Sequence, residues 1–445
     1  MNATRLAEKA TLFLEECLRC SRCKSKFRLD QLLYCPSCKH ALEYAPIGVR
    51  KSAELRACLL DKRRTSSRSG HFRFIEFLPV PPLDAVTSLG EGNTPLLHCE
   101  GMRQRHSFNR LYLKDEGRNP TGSWKDRAIS LVVNCAKGFG YQTVSVYSCG
   151  NAGVSTAAYG AKAGMKSVVF VLPTIDQGMH QRMTSYGGRV VPIEISRRDL
   201  WTTSKLGELL EEAQRQTGWF PVTSVRNPYA GSPFYTEGFK TIAFEIFQDL
   251  GEVVPDWVFA PAGTGEGLSG VWKGFKDIES VGCSNKLPRM VGVQSQEAAP
   301  LVHAFQGHGT EFSCEADHHT IASGLEVMIS SRQALAAIHE SHGHAESVTD
   351  LAIRQAMVEL RQSEGVSTSP EGAVTLAAAQ KMRLDGRLKE DDLVVCISSA
   401  AGSKCSEPSE KNPLPAGLPL DLQEVSDYVD HLSEPMHHDP YDCHH

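Results

Sequence analysis

The sequence predicts a two-lobed α/β protein built on parallel sheets and preceded by a small cysteine-rich module. Three observations carry this expectation. Short β-branched runs alternate with helix-period segments through the middle and the carboxyl-terminal half. At 445 residues the chain is well beyond one small domain. Five cysteines also crowd its first forty-odd residues in a polar, Lys/Arg-rich setting, before the alternation begins near residue 85.

The amino-terminal cysteines fall as Cys20-x2-Cys23 and Cys35-x2-Cys38, with Pro36 inside the second pair. Two such pairs have the spacing of a tetrahedral Zn(II) ribbon, because each short loop presents two thiolates to one ion. Cys17 is an alternative ligand in register. Residues 1–45 are therefore read as a zinc-ribbon module with a structural or oligomerisation role, and residues 46–84 as linker and lead-in around the polar run Lys62 to Gly70.

Next come strand Thr143 to Tyr147, helix Val154 to Ala163, strand Ser167 to Leu172 and strand Arg189 to Ile195. The rhythm resumes with strand Trp257 to Pro261, helix Leu268 to Ile278, strand Met290 to Gln294, helices Leu351 to Glu364 and Gly372 to Leu384, and strand Leu393 to Ser398. Such alternation means parallel sheets with crossover helices. It assigns residues 85–135 and 226–404 to a large lobe and 136–225 to a small one. The Pro-, Glu- and Ser-rich residues 405–445 have little to bury and read as a disordered tail. The stripe Ile242, Phe244, Ile246 and Phe247 reads as core, and the histidines at 318–319 and 339–344 as solvated side chains.

Composition narrows the partners. A formal net charge of −5 provides no basic field for nucleic acid, and no apolar run of about 18 residues is available to span a membrane. Glu8, Lys9, Glu15 and Glu16 interrupt any signal-peptide core. Cysteines inside apolar runs, such as Cys396, suit reduced thiols and a cytoplasmic protein with a small-molecule partner.

Three segments carry chemistry. Asn119-Pro120-Thr121-Gly122 make a turn after a strand, Ser123 is the expected N-cap, and Lys125 falls in the first helical turn. There the helix dipole disfavours an ammonium and lowers the lysine's pKa, as an amine nucleophile requires. Gly263-Thr264-Gly265-Glu266-Gly267 follows an apolar strand and opens a helix, so its backbone N–H groups can cup a phosphate. No Lys-Ser or Lys-Thr follows, which argues against a nucleotide loop. Ser148-Cys149-Gly150-Asn151 lies between a strand and a helix and suits a carboxylate; Asn151 alone also reads as an N-cap.

In this order and spacing these segments resemble the fold-type II pyridoxal-phosphate enzymes, and within them the threonine synthase branch, over roughly residues 71 to 404. The resemblance also rests on Phe72-Arg73-Phe74, Ser88 to Leu96, Glu237-Gly238-Phe239-Lys240-Thr241 and Ser369 to Ala373. It implies a three-layer α/β/α arrangement, pyridoxal 5'-phosphate held by Lys125 as a Schiff base, and a homodimer. It further implies Asn151 at the phenolic oxygen, the amides of Gly263, Thr264, Gly265, Glu266 and Gly267 on the phosphate, and Ser398 at the pyridine nitrogen. A serine there leaves the ring neutral and favours elimination and replacement over transamination. Ser148, Cys149 and Asn151 hold the substrate carboxylate.

Departures concern the substrate. Where the branch carries arginine two residues before the Glu-Gly-x-Lys run stands Tyr235; Glu326 stands where arginine is common; Ala152 replaces a threonine; and extra residues follow Asn227-Pro228. Each removes a donor or adds negative charge, so a phosphorylated substrate needs Lys240, Arg182 or histidines to compensate. The expected activity is a threonine synthase-type lyase acting on O-phosphohomoserine. The alternatives are a serine/threonine dehydratase or β-replacement synthase of the cysteate or cysteine synthase kind, on an unphosphorylated or O-phosphoserine substrate, and an inactive scaffold whose ribbon binds a partner.

Overall fold

The computed structural model describes residues 18–20, 22–27, 35–38, 42–44, 52–61, 70–80, 86–196, 205–223, 232–307 and 319–404. Cys17, the polar run 62–69, Asn227-Pro228, His318 and the tail from 405 lie outside the described residues.

In chain order the elements are β1 (Leu18–Cys20), β2 (Lys26–Phe27), β3 (Leu42–Tyr44), α1 (Ser52–Leu60), β4 (Leu96–His98), α2 (Glu100–His106), β5 (Leu111–Asp115) and α3 (Lys125–Gly138). Then follow β6 (Thr143–Tyr147), α4 (Asn151–Ala163), β7 (Lys166–Val171), α5 (Gln177–Ser185), β8 (Arg189–Pro192), α6 (Lys205–Thr217) and β9 (Trp219–Pro221). The remainder is α7 (Pro233–Gly238), α8 (Lys240–Asp249), β10 (Trp257–Pro261), α9 (Glu266–Ser280), β11 (Arg289–Ser295), α10 (Pro300–Phe305), α11 (Arg332–Glu340), β12 (His344–Val348), α12 (Asp350–Glu364), α13 (Pro370–Leu384) and β13 (Val394–Ser398).

Three sheets result: β2-β1-β3, the six-stranded β12-β11-β10-β13-β5-β4, and the four-stranded β8-β7-β6-β9. All pairings in the last two are parallel except that of edge strand β4 with β5. Central strands β10 and β13 of the six-stranded sheet are buried on both faces. Trp257, Phe259, Val394 and Cys396 pack into one apolar cluster with α12 and α13, whereas Val258, Ala260, Val395 and Ile397 pack into another with α3, α8 and α9. Because strand side chains alternate, two clusters at period two mean helices on both faces, a three-layer arrangement. Ile242, Phe244, Ile246 and Phe247 are fully buried, as core packing requires.

The stretch read as linker and lead-in is partly core. Residues Gly70–Phe77 form a 3-10 helix with Phe72, Phe74 and Phe77 buried, and Leu55 and Leu59 of α1 join the same cluster. Aromatic residues two or three apart match a 3-10 turn, a pattern that polarity around residues 62–69 hides. The amino-terminal sheet is likewise not a detached bead: Leu18, Cys20, Cys35 and Leu42 belong to the main core, and β3 packs on α7. No helix among the described residues is long and apolar enough to cross a membrane.

Candidate active site

Four of the singled-out segments leave the carboxyl ends of parallel strands. The turn before Lys125 follows β5, Ser148 to Gly150 follows β6, the glycine turn follows β10, and Ser398 ends β13. Open parallel sheets bind ligands at that edge, because loops and helix N-termini converge there.

The Lys125 turn is fixed from both sides. Gly122 adopts a left-handed φ of 82°, and its N–H donates to the Asn119 carbonyl at 2.8 Å. Trp124 N–H donates to the Ser399 carbonyl at 2.9 Å, and Ala401 N–H donates to the Gly122 carbonyl at 3.0 Å. Helix α3 then starts at Lys125 with Trp124 as its cap and no side-chain cap. Ser123 is not the N-cap: it forms a β-bridge with Ala400, so the helix begins one residue later, and its hydroxyl is buried with no hydrogen-bond partner. Two residues on, fully buried Arg127 donates to both oxygens of Glu116 at 2.7 Å and to those of Glu245 at 2.8 and 2.7 Å. Its remaining bonds reach Thr241 and Thr94, which pins the first turn of α3 to β5, α8 and the loop before β4.

Lys125 is partly buried. Its Nζ lies 5.3 Å from the ring centroid of Tyr235, 5.7 Å from Phe239 and 5.9 Å from Trp124. The expected depression of its pKa does not hold: burial pulls it down, but Tyr235 and the Glu266 carboxylate outweigh burial and hold it above the usual lysine value. That acid is contributed by the glycine turn itself, at the start of α9.

That turn abuts the lysine. Gly265, at φ 95°, caps α9, whose 15 residues give its N-terminus a full dipole. A side chain at Gly267 would run into the Trp124 indole, so this glycine lets the residue before Lys125 lie flat on the turn. Ser330 Oγ and Gln294 Nε2 donate to the Gly263 carbonyl at 3.1 and 3.4 Å, and Thr264 donates to Glu266. With its carbonyl anchored from behind, the segment has backbone N–H groups to offer an anion.

Across the small sheet, Asn151 is the first residue of α4, and Gly150 holds the cap position, so Asn151 is not an N-cap. Its side-chain oxygen is buried without a partner, an amide available to a bound group. Ser148 accepts from Gly150 N–H at 3.2 Å, and Cys149 Sγ accepts from Leu172 N–H at 3.2 Å. Fully buried Ser398 lies 2.5 Å, hydroxyl to hydroxyl, from Thr368, and a side chain at Gly372 would collide with both. An anion cup, a primary amine, an unpaired amide and a hydroxyl suit the phosphate, aldehyde, phenolic oxygen and ring nitrogen of pyridoxal phosphate, so the residues fit that group.

The expected substrate handles fare differently. Lys240 is fully buried and held by Glu237 at 2.9 Å and Asp277 at 2.5 Å, so it is not a cation in waiting for a substrate anion. Asp277 approaches only because α8 packs on α9. Arg182 Nη2 donates to the Ser403 carbonyl at 2.9 Å, and Glu326 accepts from Thr320 N–H at 3.0 Å. Sequence reasoning missed Thr368 behind Ser398 and the contact of Tyr235 with Lys125. A buried-polar reading of Ser367-Thr368-Ser369 could have flagged the first.

In the amino-terminal sheet the sulfur atoms of Cys20, Cys23, Cys35 and Cys38 lie within 4.8 Å of one another, with Cys20 to Cys38 at 3.4 Å and Cys23 to Cys35 at 3.7 Å. Zn–S bonds of about 2.3 Å in a tetrahedron place sulfurs about 3.8 Å apart, so the four thiols fit one zinc ion. Among the described residues no histidine joins such a grouping.

Residues 87–400 match the family model described as pyridoxal-phosphate dependent enzyme. The chain is 32% identical over 390 residues to the threonine synthase of Methanocaldococcus jannaschii, covering 87% of this chain and 92% of that one. It is 33% identical over 361 residues to the threonine synthase of Halalkalibacterium halodurans, covering 80% and 95%. Among solved structures, maize serine racemase superposes with a TM-score of 0.59 at 18% identity, covering 76% of this chain and 93% of that one, a likeness of fold. With Lys125 set beside the glycine turn, these matches lead to one conclusion: the chain belongs to the pyridoxal-phosphate-dependent enzymes, on their threonine synthase-like branch.

Proposed function

We propose that this chain is a threonine synthase-type lyase that performs elimination or replacement at the β or γ carbon of a small amino acid, with Lys125 as its cofactor-bearing residue. The observation that carries the reading is the Lys125 amine, walled by Trp124, Tyr235 and Phe239 and set against the glycine turn through the indole that lies on Gly267. When bound, pyridoxal phosphate supplies an electron sink for bonds at the substrate Cα.

The chain's own groups do the rest. The amides from Gly263 to Gly267 hold the phosphate, the Asn151 amide donates to the phenolic oxygen, and Ser398 donates to the ring nitrogen without surrendering its proton. Thr368, hydroxyl to hydroxyl with Ser398, fixes where that side chain lies. The substrate carboxylate is held by Ser148, Cys149 and Asn151 at the start of α4, where the helix dipole favours an anion. Lys125 takes the proton from Cα and returns one to a neighbouring carbon. The three rings around its amine keep bulk water away from that transfer.

O-phosphohomoserine, giving threonine and phosphate, is the substrate we assign. A serine or threonine dehydratase is the second reading, favoured by the engagement of Lys240 with Glu237 and Asp277, which leaves that cation turned away from a substrate phosphate. The cofactor-loaded chain should be yellow, with the visible band abolished in Lys125→Ala, and should release phosphate and threonine from O-phosphohomoserine. Keto acid from serine or threonine with no phosphate release transfers the assignment to the second reading. A chain that stays colourless in the presence of cofactor overturns both in favour of an inactive scaffold.

The four cysteines are proposed as a structural zinc site, on the strength of their mutual spacing. A cytoplasmic homodimer completes the proposal; the described cysteines are all free thiols, in keeping with a reducing compartment.

A further inference from the structure

We propose that Asp126 and Ser155 are positioning residues for Lys125: the Asp126 carboxylate, clasped by Thr121 of its own turn and by Ser155 of α4, fixes the spacing between the lysine amine and the loop that receives the substrate carboxylate. The inference rests on the reading that Lys125 bears the cofactor and that Ser148, Cys149 and Asn151 hold that carboxylate, and it adds residues which that reading leaves unused.

Lys125 and the carboxylate loop belong to different sheets. The lysine starts α3, which follows β5 of the six-stranded sheet, whereas the loop leads into α4, which follows β6 of the four-stranded one. Substrate held by the loop presents its Cα to the lysine only if the two helices keep a set distance. They pack side by side, and packing alone tolerates small sliding of one helix on another. A directed bond does not, and Asp126 supplies it. Its Oδ2 accepts from Thr121 N–H at 2.7 Å, and its Oδ1 accepts from the Thr121 hydroxyl at 2.6 Å and from the Ser155 hydroxyl at 2.5 Å. The two hydroxyl oxygens lie 3.1 Å apart.

All three side chains are buried, Asp126 and Ser155 fully. Burial raises the Asp126 carboxyl while the two hydroxyls draw it back, so the clasp favours the charged form, and hydrogen bonds to a charged group are the strong ones. On α4, residues 151, 155 and 159 recur at a spacing of four and so share one face. Asn151 leaves its side-chain oxygen open to a bound group, Ser155 meets Asp126, and Tyr159 donates to Glu91 at 2.9 Å. A hydroxyl in mid-helix can return to the carbonyl four residues back, as that of Thr156 does to Ala152 at 2.8 Å. Ser155 instead reaches across to the residue beside Lys125. One face of α4 thus carries the substrate end and, a turn later, the grip on the lysine's neighbour.

The test uses the full-length, cofactor-loaded protein and two amines that differ in one group: threonine, and 1-aminopropan-2-ol, which is threonine without its carboxylate. Each displaces the lysine, read as a shift of the visible band, and titration gives an apparent dissociation constant for each. In Ser155→Ala the advantage of threonine over the amino alcohol should shrink about tenfold, because a loop out of register no longer presents Cα to the lysine. Threonine weakens, whereas the amino alcohol, with no anchor in the loop, keeps its wild-type constant. Ser155→Cys keeps the volume and weakens the donor; it should fall between the two, and it decides the matter if the alanine variant does not fold. An unchanged ratio overturns the proposal, and so does a loss shared equally by both amines, which marks a purely structural role. A wild-type protein that develops no visible band overturns the assignment of Lys125, and a wild type that takes both amines equally overturns the carboxylate loop. Failure of the underlying reading therefore shows in the wild type, and failure of the proposal only in the variants.

Discussion

At the scale of the residue, the site depends on charges that are buried and matched. Arg127, fully buried, makes six hydrogen bonds two residues from Lys125. Replacing it with methionine leaves Glu116 without its cation and Glu245 with Lys114 at 3.0 Å alone in direct contact, and breaking a buried pair this way costs about 3–5 kcal/mol. Chemical unfolding of Arg127→Met should show a loss of that size. Acid should find a second weak point. Burial pushes the Glu91 carboxyl up, but the His71 ring at 3.5 Å and the Ser130 hydroxyl outweigh it and hold the group at about 2. A depressed carboxyl contributes stability above its unfolded value near 4.5 that is lost as pH falls toward about 2. Unfolding followed across that window should give a flatter acid limb for Glu91→Gln than for wild type. Asp126 works oppositely: burial, partly offset by Ser155 and Thr121, raises it to about 6, so its cost to folding grows as pH rises from 3.8 to about 6. Lys125 and the glycines were legible in the sequence because strand, turn and helix onset are local patterns. Tyr235 as its neighbour was not, since α7 meets α3 only through packing. The engagement of Lys240 was hidden for the same reason: Glu237 belongs to α7 and Asp277 to α9, neither to its own helix.

At the scale of the element, start and stop signals read well where chain chemistry decides them. The strands at 143–147 and 257–261 stand where β-branched and aromatic runs put them. The onset of α3 moved by a residue because a bridge between Ser123 and Ala400, invisible to local rules, holds the expected cap in extended pairing. The amino-terminal sheet is the element most dependent on something besides its own residues. Its strands are two or three residues long, too short to persist alone, so a metal at the proposed four-thiol site would add to the cohesion that Leu18 and Leu42 gain from the main core. Zinc analysis of the purified chain should return one equivalent. Stripping the ion with a chelator at neutral pH should lower the thermal midpoint, and zinc, but not magnesium, should restore it, because thiolates are soft ligands.

At the scale of the whole molecule, the alternation of strand and helix gives two parallel sheets, whereas strand order is set by tertiary structure. β13, last in sequence, slots between β10 and β5 and brings Ser398 beside the turn that carries Lys125. Nothing in the linear spacing of those segments announces that meeting; only its chemistry, a hydroxyl at the end of an apolar strand, was readable. The seam between β3 and α7 has a further bearing. The first sixty residues bury Leu18, Leu42, Leu55 and Leu59 against the body of the protein, and the helix they brace is the one that bears Tyr235. Trimming them away to obtain a minimal catalytic core would bare a greasy face and remove the buttress behind the aromatic row, so this amino-terminal segment is not an excisable ornament but the rear wall of the chamber.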